Sequence, residues 1–104
     1  MVIYEVNLSI NDEVYPQFQL WLKKHAAEML QFPGFIQANI LKPEKEKLFG
    51  KEKLTVHYLL ENRKALDVYF NKFAAIMRKE AITLFNDKFS ALRRIYEVED
   101  TILK

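Results

Sequence analysis

The stretch VIYEVNLSI places Val2, Tyr4, Val6, Leu8 and Ile10 on one side of an extended chain and Ile3, Glu5, Asn7 and Ser9 on the other. Side chains of a strand point alternately to opposite faces, so the segment specifies a strand with one apolar side. LTVHYLLE, Leu54 to Glu61, repeats the pattern with Leu54, Val56, Tyr58 and Leu60 opposite Thr55, His57, Leu59 and Glu61. A sheet covered on one face only is the consequence, and His57 falls on its uncovered side.

The segments between follow a different period. Asn11 and Asp12 supply a helix cap, Glu13 suits the positive end of a helix, and Pro16 is tolerable because it falls in or near the first turn. In EVYPQFQLWLKKHAAEML, Val14, Phe18, Trp21, Leu22, His25, Ala26, Met29 and Leu30 recur at three- and four-residue steps and form one apolar stripe. FPGF ends this helix, with Pro33 and Gly34 making the turn. FIQANILK, Phe35 to Lys42, reads as a second strand with Ile36, Ala38 and Ile40 inward and Gln37 and Asn39 outward.

PEKEKLFGKEK, Pro43 to Lys53, carries seven ionisable residues and suits a solvated hairpin connector. Within it Leu48 and Phe49 read as a small lid on the core or as a contact for another chain, the lid being the simpler choice. Asn62 then caps a long helix, RKALDVYFNKFAAIMRKEAITLF, with Leu66, Tyr69, Phe70, Phe73, Met77, Ala81 and Leu84 inward and no glycine or proline to interrupt it. FSALRRIYEV, Phe89 to Val98, is a fourth strand whose inward face the pattern leaves open between Phe89, Ala91, Arg93, Ile95 and Leu92, Arg94, Tyr96, Val98. Residues 99–104 form a short tail.

The order is βαββαβ. Two right-handed βαβ units sharing a sheet make an α+β, ferredoxin-like domain: four antiparallel strands with both helices on one face. One domain spans residues 1–104, the modal size for a single core, with roughly two-thirds of the unfolded surface buried. Half the residues are hydrophobic, with two glycines and three prolines, which excludes disorder and collagen-like repeats. The absence of cysteine excludes disulfides, thiolate zinc, iron–sulfur clusters and a cysteine nucleophile. Neither a signal-peptide pattern nor an apolar run near the ~18 residues of a membrane span occurs, so a soluble cytoplasmic protein is expected. A net charge of +2 demands no polyanionic partner, although all four arginines lie in the second half.

In this fold strands one and three are central and adjacent, which gathers Glu5, Asn7 and His57 on the uncovered face, with Asn39 and one of Arg93 or Arg94 beside them. Three uses suit such a face: exposure to water, a dimer interface closing two sheets into a barrel, or a surface for single-stranded nucleic acid. The third is disfavoured because Glu5 stands where a base-stacking ring belongs and no glycine- and aromatic-rich signature is present. Dimerisation is favoured over exposure, because Ile3 and Leu59 have no use on a solvated face.

His57 and Glu5 form a candidate acid/base couple, since imidazole titrates near neutrality and a carboxylate can orient it. Asn7 or an arginine could hold a developing oxyanion. The reading that these groups simply satisfy one another at the dimer interface is favoured over it, since structural pairs perturb histidines as readily as active sites do. His25 lies on the apolar stripe of the first helix and reads as a packed residue. Two histidines on different elements make no metal site. Trp21, Met29 and Met77 read as packing.

IYEVNLSI, WLKKHAAEML, FPGFIQANI, YLLENRKALDVYF and FSALRRIYEV together resemble a small bacterial family known only as a domain of unknown function. That family is similar to the dimeric α+β barrel superfamily, which includes antibiotic-biosynthesis-type monooxygenases and muconolactone-isomerase-like proteins. The resemblance implies a homodimer and supplies no catalytic residues. The leading expectation is a homodimer that binds a small organic ligand on the polar sheet face, through Asn7, Asn39, His57 and Arg93 or Arg94. Its rival is an assembly module without a ligand, and a further alternative by fold analogy is a cofactor-free monooxygenase or isomerase-like enzyme. No cofactor, metal, nucleic acid or membrane is expected to take part.

Overall fold

A computed structural model describes residues 1–44 and 49–104. The alternating segments form β1 (Val2–Asn11), β2 (Phe35–Leu41), β3 (Lys51–Leu60) and β4 (Phe89–Glu97), and a 3-10 turn (Asp12–Val14) leads into α1 (Tyr15–Met29). The second helical segment is divided into α2 (Arg63–Lys72) and α3 (Ala74–Phe85). The strands are antiparallel in the order β2-β3-β1-β4, with β1 and β3 central, and the architecture is ferredoxin-like.

The apolar sides of the central strands form the core as their alternation requires. Tyr4, Leu8, Ile10, Leu54, Val56, Tyr58 and Leu60 are all buried, against Phe18, Leu22, Ala26 and Met29 of α1 and Leu66 and Tyr69 of α2. Burying each large apolar side chain contributes about 1.5–3 kcal/mol. Aromatic contacts join the layers: Tyr4 lies 5.9 Å from Tyr58 and meets Phe70 edge-on at 5.4 Å, and Phe18 sits 4.9 Å from Phe85. Among the described residues no helix is long and apolar enough to cross a membrane.

Several local expectations are corrected. Asn11 makes no side-chain cap bond, because it stays in the sheet: its N–H donates to the Lys88 carbonyl at 2.9 Å and the next N–H, of Asp12, to the Gly50 carbonyl at 3.1 Å. The chain therefore enters α1 through the 3-10 turn, with Pro16 in the first turn of the helix. At the far end Leu30 is exposed.

On β2 a bulge between Phe35 and Gln37 sets Phe35 opposite Leu60, so Phe35, Ala38 and Ile40 share the inward side and Ile36 is displaced to the surface. The third strand begins at Lys51 rather than Leu54, pairing in register with the full length of β1. Its first three residues are charged, which masks them as part of the connector in the sequence. Phe49 is fully exposed and is no lid; Leu48 lies outside the described residues.

The long helix is broken at Phe73 without glycine or proline. Tyr69 and Ala74 are both buried, yet five residues of unbroken helix would set them about 140° apart. The altered backbone at Phe73 (φ −125°, ψ −26°) turns both inward and lets the Phe73 ring stack on Phe32 at 4.4 Å. The inward residue at the end is consequently Phe85, with Leu84 exposed. Two expectations hold closely: the Asn62 side chain accepts from the Ala65 N–H at 2.9 Å, and Gly34 makes its turn at φ +85°. Tail residues Ile102 and Leu103 are exposed.

Candidate functional site

Register decides the composition of the uncovered face. Glu5 lies opposite His57 on one side and Arg94 on the other, Asn7 lies opposite Thr55 and Leu92, and Asn39 opposite His57. Directly paired residues share a face, so Glu5, Asn7, Asn39, Thr55, His57 and Arg94 form one group. Arg93 faces the helices. The fourth strand thus has Phe89, Ala91, Arg93 and Ile95 inward, which resolves the choice that its own pattern leaves open.

The polar group is closely bonded. Glu5 Oε2 lies 2.7 Å from His57 Nε2, Asn7 Nδ2 donates to Glu5 Oε1 at 2.7 Å, and Thr55 Oγ1 donates to Asn7 Oδ1 at 2.9 Å. The Asn7 amide, opposed by burial and aided by His57 and Arg94, holds the Glu5 carboxyl below its ordinary range. Both carboxylate oxygens of Glu5 are engaged within the sheet. Around the network Leu41, Leu92 and Tyr96 are exposed apolar groups, with Ile3 and Leu59 half-buried.

The opposite side of the sheet holds a different feature, a cavity of about 230 Å³ between the helices and the β1–β4 half of the sheet. Tyr4, Val6 and Ala91 floor it, Trp21, His25 and Met29 of α1 form one wall, and Tyr69, Met77 and Arg78 form the other. Arg93 and the exposed Ile82 stand at its margin. Two buried polar atoms here have no hydrogen-bond partner among the described residues: His25 Nδ1 and Arg78 Nε. Buried polar groups are nearly always paired, so an orphan needs an explanation.

His25 stacks on Trp21 at 4.5 Å, and burial lowers its pKa despite the nearby charges of Glu80 and Glu28, so the imidazole is held in its neutral form. The Trp21 indole is itself tied to α3 by donation to Glu80 Oε1 at 3.0 Å. Arg78 donates from Nη2 to the Tyr4 hydroxyl at 3.1 Å and lies 5.9 Å from the Phe70 ring centre. Burial pushes the Tyr69 hydroxyl up to about 12, with Arg78 and Arg93 pulling the other way. Among the described residues no three metal-ligating side chains are gathered together.

The structure thus brings together Glu5, Asn7, His57, Asn39 and Arg94 of the expected site, and separates Arg93 from them. His25, Trp21, Met29 and Met77, which read as packing, border the cavity. The sequence pattern does not single out Arg78. Its one signal there is a cation directly after Met77 of the apolar stripe, a position that a continuous helix places less clearly than the broken one.

The family described as Domain of unknown function (DUF4286) matches residues 1–99. No curated protein matches by sequence. Solved structures share the fold at low identity. SnoaB, a cofactor-independent oxygenase from Streptomyces nogalater, superposes with a TM-score of 0.72 at 14% identity, over 99% of this chain and 98% of its own. A dimeric ferredoxin-like protein from an uncultured marine organism has a TM-score of 0.74 at 11% identity, over 97% and 98%. The heme-degrader MhuD from Mycobacterium tuberculosis, with two hemes bound in its active site, has a TM-score of 0.66 at 20% identity, over 96% and 98%.

Proposed function

Taking as premise that the chain belongs to the DUF4286 family, we propose that it is a homodimer through its open sheet face and binds a small organic ligand in the cavity between helices and sheet. The observation that carries the ligand reading is the cavity itself, largely apolar and bordered by two buried polar atoms without partners among the described residues, His25 Nδ1 and Arg78 Nε. Concave, largely apolar pockets with a few convergent polar groups are the usual form of small-molecule sites. Dimerisation is supported by the exposed Leu41, Leu92 and Tyr96 around a polar network in which Glu5 bonds Asn7 and His57, and Thr55 bonds Asn7. That a dimeric ferredoxin-like protein has this fold agrees with it.

A second reading keeps the ligand on the sheet face, with His57 and Glu5 as acid/base pair and Asn7, Asn39 and Arg94 as contacts. It is favoured by a hollow of about 310 Å³ bordered by Asn7, Ser9, Thr55, Ser90 and Leu92, beside the Glu5–His57 pair rather than lined by it. Closing the sheet against a second copy would enclose that hollow.

The chain labels its two faces separately, with one tryptophan and two histidines, His25 by the cavity and His57 on the sheet. Ring signals of both histidines and the Trp21 indole, followed by NMR during titration with small aromatic fragments, test the proposal. Shifts at His25 and Trp21 are expected. Shifts at His57 alone move the site to the sheet face, and no shift at any of the three removes the ligand.

A further inference from the structure

The charged side chains that line the cavity are of one sign, with Glu80 and Glu28 set behind the α1 wall, where they act on His25. Arg78 and Arg93 both border it, no acidic side chain does, and neither guanidinium has an ion-pair partner among the described residues. Both arginines act on the same buried group, the Tyr69 hydroxyl. A half-buried guanidinium in the wall, Arg78, and an exposed one at the margin, Arg93, neither of them ion-paired among the described residues, favour an anion, and the planar fork of arginine matches a carboxylate.

The remainder of the lining selects for shape. Tyr4, Trp21 and Tyr69 offer ring surfaces, and Met29 and Met77 offer adaptable thioethers. At about 230 Å³ the space falls below the roughly 300–1,000 Å³ of sites for drug-sized molecules, which leaves room for one or two rings. From this convergence, and resting on the cavity reading above, we infer that the ligand is a one- or two-ring aromatic carboxylate, its anionic end at Arg78 and Arg93 and its rings against Tyr4, Trp21 and Tyr69. His25 Nδ1 remains available to a hydroxyl or carbonyl substituent on the ring.

The test compares naphthoate with naphthalenemethanol, which keeps the rings and removes the charge, in calorimetric and NMR titrations of the full chain. Naphthoate is expected to bind on the order of tenfold or more tightly, the value of one charge-assisted contact, with shifts at Trp21 and His25. Arg78→Met and Arg93→Met, which keep much of the apolar stem, should each erase most of that preference while leaving the alcohol's affinity within about twofold. Arg93 is exposed on β4, so its variant is informative even if Arg78→Met does not fold. Equal affinities for acid and alcohol, with Trp21 and His25 still shifting, overturn the carboxylate class and leave the cavity as a neutral-ligand site. A failure of both compounds to move Trp21 and His25 overturns class and cavity together.

Discussion

At the scale of single residues, Glu5 organises the open face because each of its oxygens has a separate partner, Asn7 on its own strand and His57 on the next. The bond from Asn7 is the leading cause that lowers its pKa in the folded chain. A carboxyl whose folded pKa is depressed contributes stability that is fully present above its unfolded value, about 4.3, and lost as pH falls through the folded value. Glu5→Gln is therefore expected to cost about 1 kcal/mol at pH 7, a difference that shrinks as pH falls through the depressed folded value, as measured by urea unfolding at neutral and acidic pH. A gap that persists undiminished in acid would show that the carboxylate charge is not what stabilises the network. The pair itself was legible in the sequence, because alternation sets the face of each strand and the topology makes the strands neighbours. The His25 and Arg78 orphans were not, since an unpaired atom is a property of what surrounds it.

At the scale of elements, the turn between α1 and β2 illustrates how little of a close approach a sequence displays. FPGF marks Gly34 as a turn residue, but it does not reveal that a Cβ there would collide with Ala65 in the first turn of α2. Gly34 is thus constrained twice, by its φ of +85° and by the helix packed upon it. Gly34→Ala is expected to destabilise by about 2 kcal/mol or more in thermal or urea unfolding. Adding Ala65→Gly should recover only part of the loss, because it removes the collision and leaves the backbone strain. Full recovery would mean that the φ value costs nothing. The break at Phe73 belongs to the same class of fact: every residue in RKALDVYFNKFAAIMRKEAITLF favours or tolerates helix, and the need to bury both Tyr69 and Ala74 and to stack Phe73 on Phe32 overrides that uniform preference.

At the scale of the whole molecule, the shortest dimension of 19 Å is that of a single sheet with one layer of helices. Nothing in the chain covers the other face of the sheet among the described residues. Leu92 is 61% exposed there, directly opposite Asn7. If two copies close over this face, Leu92→Lys places an unpaired charge in the interface, and the variant is expected to sediment and scatter as a monomer with an unchanged fold by circular dichroism. Retention of a dimeric mass in that variant would place the interface elsewhere, and a monomeric wild type would remove the barrel altogether.

Sequence by itself determined the order of elements, the apolar side of β1 and β3, the Asn62 cap and the place of His57 beside Glu5. These follow from interactions between residues near one another in the chain, or from a two-residue period that admits only two outcomes. The tertiary structure alone decided the bulge that turns Phe35 inward in place of Ile36, the helix break at Phe73, the assignment of Arg93 and Arg94 to opposite faces, and the cavity beneath α1 and α3. Each of these depends on packing among segments remote in sequence, where burial of whole faces outweighs the weak preferences of single residues, and where an empty space arises only once all of its walls are in place.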